Sequence, residues 1–127
     1  MSVTGPRPLL ISDCDEVLLH MIVPFRDWLD DAHNIHFDLV HGDWGEALRH
    51  KHDGNIVERG QVWDLLNGFF DTEMHRQQAI DGAVAGLNSL RAHADVVILT
   101  NLLDHRAGPR TEQLRAVGID APVYCNQ

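Results

Sequence analysis

Two carboxylates, Asp13 and Asp15, stand two residues apart in Asp13-Cys14-Asp15-Glu16-Val17, directly after the apolar run Pro8-Leu9-Leu10-Ile11. A carboxylate can attack an electrophilic centre, and a carboxylic acid can hand a proton to the group that leaves. Two of them at i, i+2 on one turning loop therefore suit the two halves of a displacement. A second apolar run, Val96-Val97-Ile98-Leu99, ends in Thr100-Asn101. A threonine hydroxyl and the backbone N–H after it are donors suited to a phosphate oxygen. Asp-x-Asp alone also describes a capped turn, so it is the combination with Thr100 that singles the motif out.

Other chemistry-bearing residues lack a completing pattern. His33 with His36, and His50 with His52, have chelating spacing, but no Cys or carboxylate arrangement completes a tetrahedral site, so scattered loop histidines are expected. Neither a P-loop nor a G-x-G-x-x-G cradle occurs. Cys14 has no histidine nearby in sequence to activate it and is expected to pack against the sheet.

The elements that must position these residues follow from hydrophobic periodicity. Pro8 to Ile11 reads as a central parallel strand covered on both faces, delivering polar residues at its C-terminal end. Pro24 opens a helix with the stripe Phe25, Trp28, Leu29 and Ala32. From Asn34 to Asn55 the pattern predicts irregular helix and loop, with Asp43 and Glu46 as a capping box. Val62, Leu65, Leu66, Phe69 and Phe70 predict a helix over about 58–71, and Asp81 is placed to cap a helix carrying Val84, Leu87 and Leu90. That helix leads into the strand Val96 to Leu99. Gly108 and Pro109 precede a further helix with Leu114 and Val117, ended by Gly118, and Pro122 to Cys125 reads as a third strand. Strands alternating with helices imply a Rossmann-like α/β fold with a parallel sheet. The core is expected over about 7–19 and 81–127. Residues 20–80 are too many for a simple crossover, which predicts a small helical insertion over the strand ends.

With 127 residues, 44% hydrophobic and 23% charged, the chain reads as one globular domain. A net charge of −9, with Lys51 the only lysine, argues against a surface for a nucleic-acid polymer. No apolar run approaches the length needed to span a bilayer or to form a signal-peptide core, so a cytoplasmic location with reduced Cys14 and Cys125 is expected. An acidic chain does not attract a phosphate ester by itself. Positive charge at such a site must come from a metal ion, arginines or backbone N–H groups.

Together the two strand-end motifs resemble those of the haloacid dehalogenase-like phosphohydrolases. That superfamily carries Asp-x-Asp-x-Thr/Val after its first strand and a Ser or Thr at the end of the next core strand. Leu9 to Leu18 and Asp81 to Asn101 carry the resemblance most specifically, and the insertion is similar to the small helical caps of the deoxyribonucleotidase type. The resemblance implies Asp13 as a nucleophile that becomes an aspartyl-phosphate, and Asp15 as general acid and base. It implies Thr100 as the phosphoryl-binding residue with Asn101 beside it, and Mg2+ held by Asp13 and Asp15, the latter through its backbone carbonyl. The expected substrate is a small phosphorylated molecule such as a sugar phosphate or nucleoside monophosphate.

Two departures accompany it. Glu16 stands where many family phosphatases have Gly. The family's third motif, a Lys or Arg, and its fourth, an acidic pair, are not found in these residues; Lys51, Arg106, Arg110 and Asp104 are the candidates to substitute. Without the family's last strands, the apolar edge of Leu9 to Ile11 is expected to lie open, as in a fragment or a homodimer joined through that edge. The alternative to an enzyme is an incomplete member that binds a phosphorylated ligand or a protein partner without turnover.

Overall fold

A computed structural model describes residues 7–39 and 44–125. Along the chain run β1 (Leu9–Ser12), α1 (Ile22–His33), β2 (Ile35–Phe37), β3 (Leu48–His50), α2 (Arg59–Thr72), α3 (Ala83–Arg91), β4 (Asp95–Thr100), α4 (Ala107–Ala116) and β5 (Val123–Cys125). They fall into two compact units. One comprises Met1–His20 with Gln77–Gln127, and the other Met21–Arg76. None of the described helices is long and apolar enough to cross a membrane.

The first unit is an α/β sheet in the strand order β1-β4-β5, both pairings parallel. Register places Leu10 beside Val96 and Ser12 beside Ile98. Because side chains alternate across a strand, Leu10, Val96, Ile98 and Val123 share a face, and this face packs with Leu87 of α3, Leu114 of α4 and Cys14 in one core cluster. The other face carries Leu9 at 60% exposure, Ile11 at 58%, Leu99 and Tyr124. The expectation that β1 is central and covered on both faces is therefore overturned: it is the edge of this sheet, with its alternate side chains in solvent.

Helix boundaries also differ in instructive ways. Asp81 makes no cap; Gly82, with φ +84, occupies the position before α3, and no side chain caps it. Gly108 and Pro109 lie inside the first turn of α4 rather than before it, where a missing proline N–H costs no helix bond. Gly118 ends α4 with φ +99, a left-handed turn open to glycine, and a Cβ there would meet Val84 at 3.3 Å.

The second unit contains α1 and α2 together with an antiparallel pair, Ile35 facing His50 and Phe37 facing Leu48. The segment read as irregular helix and loop thus supplies strands, and the insertion is mixed rather than purely helical. Three-residue strands are too short for period-two alternation to stand out from noise. Asp43 of the expected capping box lies outside the described residues. Helix α1 begins at Ile22, so Pro24 sits within its first turn rather than opening it, and Ala32 faces solvent while Phe25, Trp28 and Leu29 are buried. Phe25 is the hub of an aromatic cluster, edge-on to Phe37 at 5.6 Å and to Phe69 of α2 at 5.5 Å, with Trp28 and Trp44 alongside. Aromatic groups of this size dominate the burial of a small core. Lys51 belongs to this unit and is ion-paired with Asp30.

Candidate active site

The chain leaves β1 at Asp13 and leaves β4 after Thr100. Since Ser12 is level with Ile98 in a parallel pair, both residues emerge at the same rim, the C-terminal end of the strands. Open α/β sheets bind ligands at such rims. Asp13 is exposed, and its Oδ1 accepts the Cys14 N–H at 2.7 Å. Thr100 is 1% exposed, and its hydroxyl has no hydrogen-bond partner among the described residues. Asn101 is exposed in the bend that follows.

A tight turn carries Asp15. The amides of Val17, Leu18 and Leu19 all point at the Cys14 carbonyl, at 3.2, 2.8 and 3.1 Å, and Glu16 N–H closes onto the Leu19 carbonyl at 2.7 Å. To make that turn Glu16 adopts φ +61, the left-handed region that favours glycine. The segment after the insertion is then held alongside: His20 N–H donates to the Gln78 carbonyl and Ile80 N–H to that of Leu18.

This arrangement brings Gln77 against Asp15. Gln77 Nε2 donates to Asp15 Oδ1 at 2.7 Å and to the His20 carbonyl at 3.0 Å. From α4, Arg110 Nη2 donates to both Asp15 oxygens, at 3.0 and 3.2 Å, while Nη1 donates to Gln77 Oε1 at 3.1 Å and Gln113 Oε1 at 2.8 Å. Arg110 is fully buried and Gln77 nearly so. Burial pushes the Asp15 carboxyl above the usual aspartate range; the Arg110 guanidinium and the Gln77 amide pull it back without cancelling the rise. Burial likewise pushes the Cys14 thiol up to about 12, so Cys14 is a packed, protonated side chain rather than a nucleophile.

Of the expected site residues, Asp13 and Thr100 share a rim, and Asp15 is next to Asp13 but engaged by Arg110 and Gln77. Of the candidates to substitute for the third motif, Arg110 and Arg106 are both buried. For Arg110 a signal was available: it precedes Leu114 by four residues and so lies on the apolar stripe of α4, whereas Arg106 stands just before that helix. Gln77 gave none. Asp104 is exposed, and after burial its charge is the next cause raising the Cys125 thiol.

For a hard cation the suitable donors here are the Asp13 carboxylate and the Asp15 backbone carbonyl. Among the described residues no three His, Cys, Asp or Glu side chains gather as a metal cage. Magnesium commonly takes one or two carboxylates and leaves its other positions to water and substrate phosphate, so this oxygen-donor chemistry fits it. The Asp15 side chain, facing Arg110, is not one of those donors. No family model matches this sequence, and comparison with curated proteins and with solved structures gives no match.

Proposed function

We propose that this chain is a haloacid dehalogenase-like phosphohydrolase, acting on a small phosphate monoester with Mg2+ and forming an aspartyl-phosphate on Asp13. The observation that supports this most is the convergence of an exposed carboxylate, Asp13, and a threonine hydroxyl without a partner among the described residues, Thr100, at one rim of a parallel sheet. The left-handed backbone at Glu16 adds to it, because the resemblance has Gly at this position and the turn is one that glycine makes without strain.

In this reading Asp13 attacks phosphorus, forming a P–O bond as the ester P–O bond breaks. Asp15 gives its proton to the departing alkoxide. Asp15, now ionised, takes a proton from water, whose oxygen attacks the phosphoryl group and frees Asp13 and inorganic phosphate. The Thr100 hydroxyl and the Asn101 N–H donate to phosphoryl oxygens. Bound Mg2+ neutralises phosphate charge that this acidic chain does not offset. The setting is cytoplasmic, with both thiols reduced.

The test is Mg2+-dependent phosphate release from p-nitrophenyl phosphate and its loss in Asp13→Asn. Tight binding of a phosphorylated ligand with no release and no phosphorylated Asp13 sinks the enzyme reading in favour of a non-catalytic binding domain.

A further inference from the structure

We propose that Arg110 and Gln77 are positioning residues that fix the direction of the Asp15 carboxylate; the proposal rests on the phosphohydrolase reading above. Three side chains close a ring: Arg110 to Asp15, Gln77 to Asp15, and Arg110 to Gln77. Each comes from a different part of the first unit, namely the turn after β1, the segment that returns from the insertion, and α4. Within the ring the two carboxylate oxygens are unequal. Oδ1 accepts both Gln77 Nε2 at 2.7 Å and Arg110 Nη2 at 3.0 Å, whereas Oδ2, among the described residues, accepts from Arg110 alone, at 3.2 Å.

A carboxylate oxygen has two acceptor positions. Oδ1 is filled, and Oδ2 keeps one for the leaving group or the water. The Asp15 side chain retains 18% exposure while Arg110 retains none, so the ring holds the acid from behind and leaves it reachable. Gln77 contributes orientation rather than charge. Its amide is fixed at both ends, with Oε1 taken by Arg110 and Nε2 by Asp15 and the His20 carbonyl. A planar guanidinium gives a two-point hold on a carboxylate that an ammonium does not.

If the ring only stabilises the fold, its loss lowers the folded fraction and leaves kcat per folded molecule unchanged. If it aims Asp15, kcat falls in folded protein while KM stays, because misplacing a reacting group by about an ångström costs on the order of a hundredfold. The experiment measures kcat and KM for p-nitrophenyl phosphate with Mg2+ in wild type, Arg110→Lys, Arg110→Met and Gln77→Met, normalised to folded protein by circular dichroism. The expected result is kcat down about tenfold to a hundredfold in Gln77→Met and Arg110→Met, with KM within about twofold and Arg110→Lys intermediate. Wild-type kcat in folded Gln77→Met overturns the positioning role while leaving the phosphohydrolase reading intact, and does so even if Arg110→Met fails to fold. An inactive wild type overturns the phosphohydrolase reading and this inference with it.

Discussion

Asp15→Asn should destabilise the sheet unit more than Arg110→Met does, although the two substitutions break the same pair. Arg110 has no solvent exposure, and its guanidinium keeps its proton at any working pH. Asp15→Asn takes away the carboxylate that Arg110 Nη2 holds through two hydrogen bonds, and the cation cannot neutralise itself by losing a proton. The cost is that of a broken buried pair, about 3–5 kcal/mol. Asparagine can keep its oxygen for Gln77 Nε2, but its NH2 then stands where Oδ2 was, against Arg110 Nη2, itself a donor. Arg110→Met strands the carboxylate instead, and a carboxylate can take up a proton. Each unit of pKa rise relieves about 1.4 kcal/mol, so this variant should lose about 1–3 kcal/mol, the penalty of an underbonded buried polar group. Its loss should also depend on pH. The Asp15 carboxyl is already raised above 3.8 by burial, and Arg110 is the largest influence opposing that rise. A raised acid favours the folded state most below its unfolded pKa and loses that contribution as pH climbs through the folded value. Stability of Arg110→Met should therefore fall more steeply than wild type as pH rises from 3.8 toward neutrality. Tryptophan fluorescence is the wrong probe, because Trp28, Trp44 and Trp63 all lie in the other unit. Hydrogen exchange at the β4 amides reports on the unit concerned. A cost below about 1 kcal/mol for Asp15→Asn, under the floor for a lost buried hydrogen-bond partner, or a lower stability of Arg110→Met than of Asp15→Asn, would refute this ordering.

Other expectations follow from single features. Glu16→Gly removes left-handed strain of about 1–2 kcal/mol and adds unfolded-state freedom of about 0.5–1 kcal/mol, so urea unfolding should find it at least as stable as wild type. Glu16→Val, β-branched at positive φ, should be the least stable of the series. Phe25→Ala opens the aromatic hub and should cost about 3–5 kcal/mol, read by tryptophan fluorescence of the insertion. With its thiol pushed up to about 12 and no exposure, Cys14 should resist a disulfide reagent at pH 8 until urea unfolds the chain, while half-buried Cys125 reacts first. Leu9→Lys with Ile11→Lys alters exposed side chains, so stability should change by less than about 0.5 kcal/mol; light scattering should show a monomer if wild type is a dimer through β1, and an undisturbed dimer excludes that edge.

Long-period features were legible and short ones were not. Helix α2 shows Val62, Leu65 and Phe69 at helical spacing, and β4 is a β-branched run, so both could be located by residue type alone. The β2 and β3 strands could not, because three residues hold too little alternation to oppose the polar and glycine-rich sequence around them. The coverage of β1 was misread for another reason. Pro8 to Ile11 is uniformly apolar, which suits a strand buried twice, and only the position of α3 and α4 on one face reveals that Leu9 and Ile11 face water. The placement of Asp13 and Thr100 at one rim was legible from the two strand ends. Charge alone does not place Arg110, whereas its spacing of four from Leu114 on α4 marks it as inward-facing.

Departures from local preference are concentrated in one part of the first unit. Glu16 takes a conformation that costs an L-residue about 1–2 kcal/mol, Thr100 buries a hydroxyl that has no partner among the described residues, and Asp15 is drawn into low-dielectric surroundings with Arg110. A turn after β1 chosen for stability alone would place glycine at position 16, and a strand end chosen that way would carry valine in place of Thr100, isosteric and free of the unsatisfied oxygen. Neither substitution is made. Strain of this kind persists only where surrounding structure over-determines it, and it gathers where a ligand completes the interactions. The ring of Arg110, Gln77 and Asp15 supplies that over-determination. It ties the turn to α4 and to the returning segment. Thr100→Val accordingly separates the two explanations. Without ligand it should be as stable as wild type or up to about 1–3 kcal/mol more stable, by release of the buried unsatisfied group, whereas in the presence of a phosphate ester and Mg2+ it should lose the stabilisation that bound ligand gives the wild type. A valine variant that gains nothing without ligand and still responds to the ester fully would show that the hydroxyl neither strains the strand end nor meets a phosphoryl group.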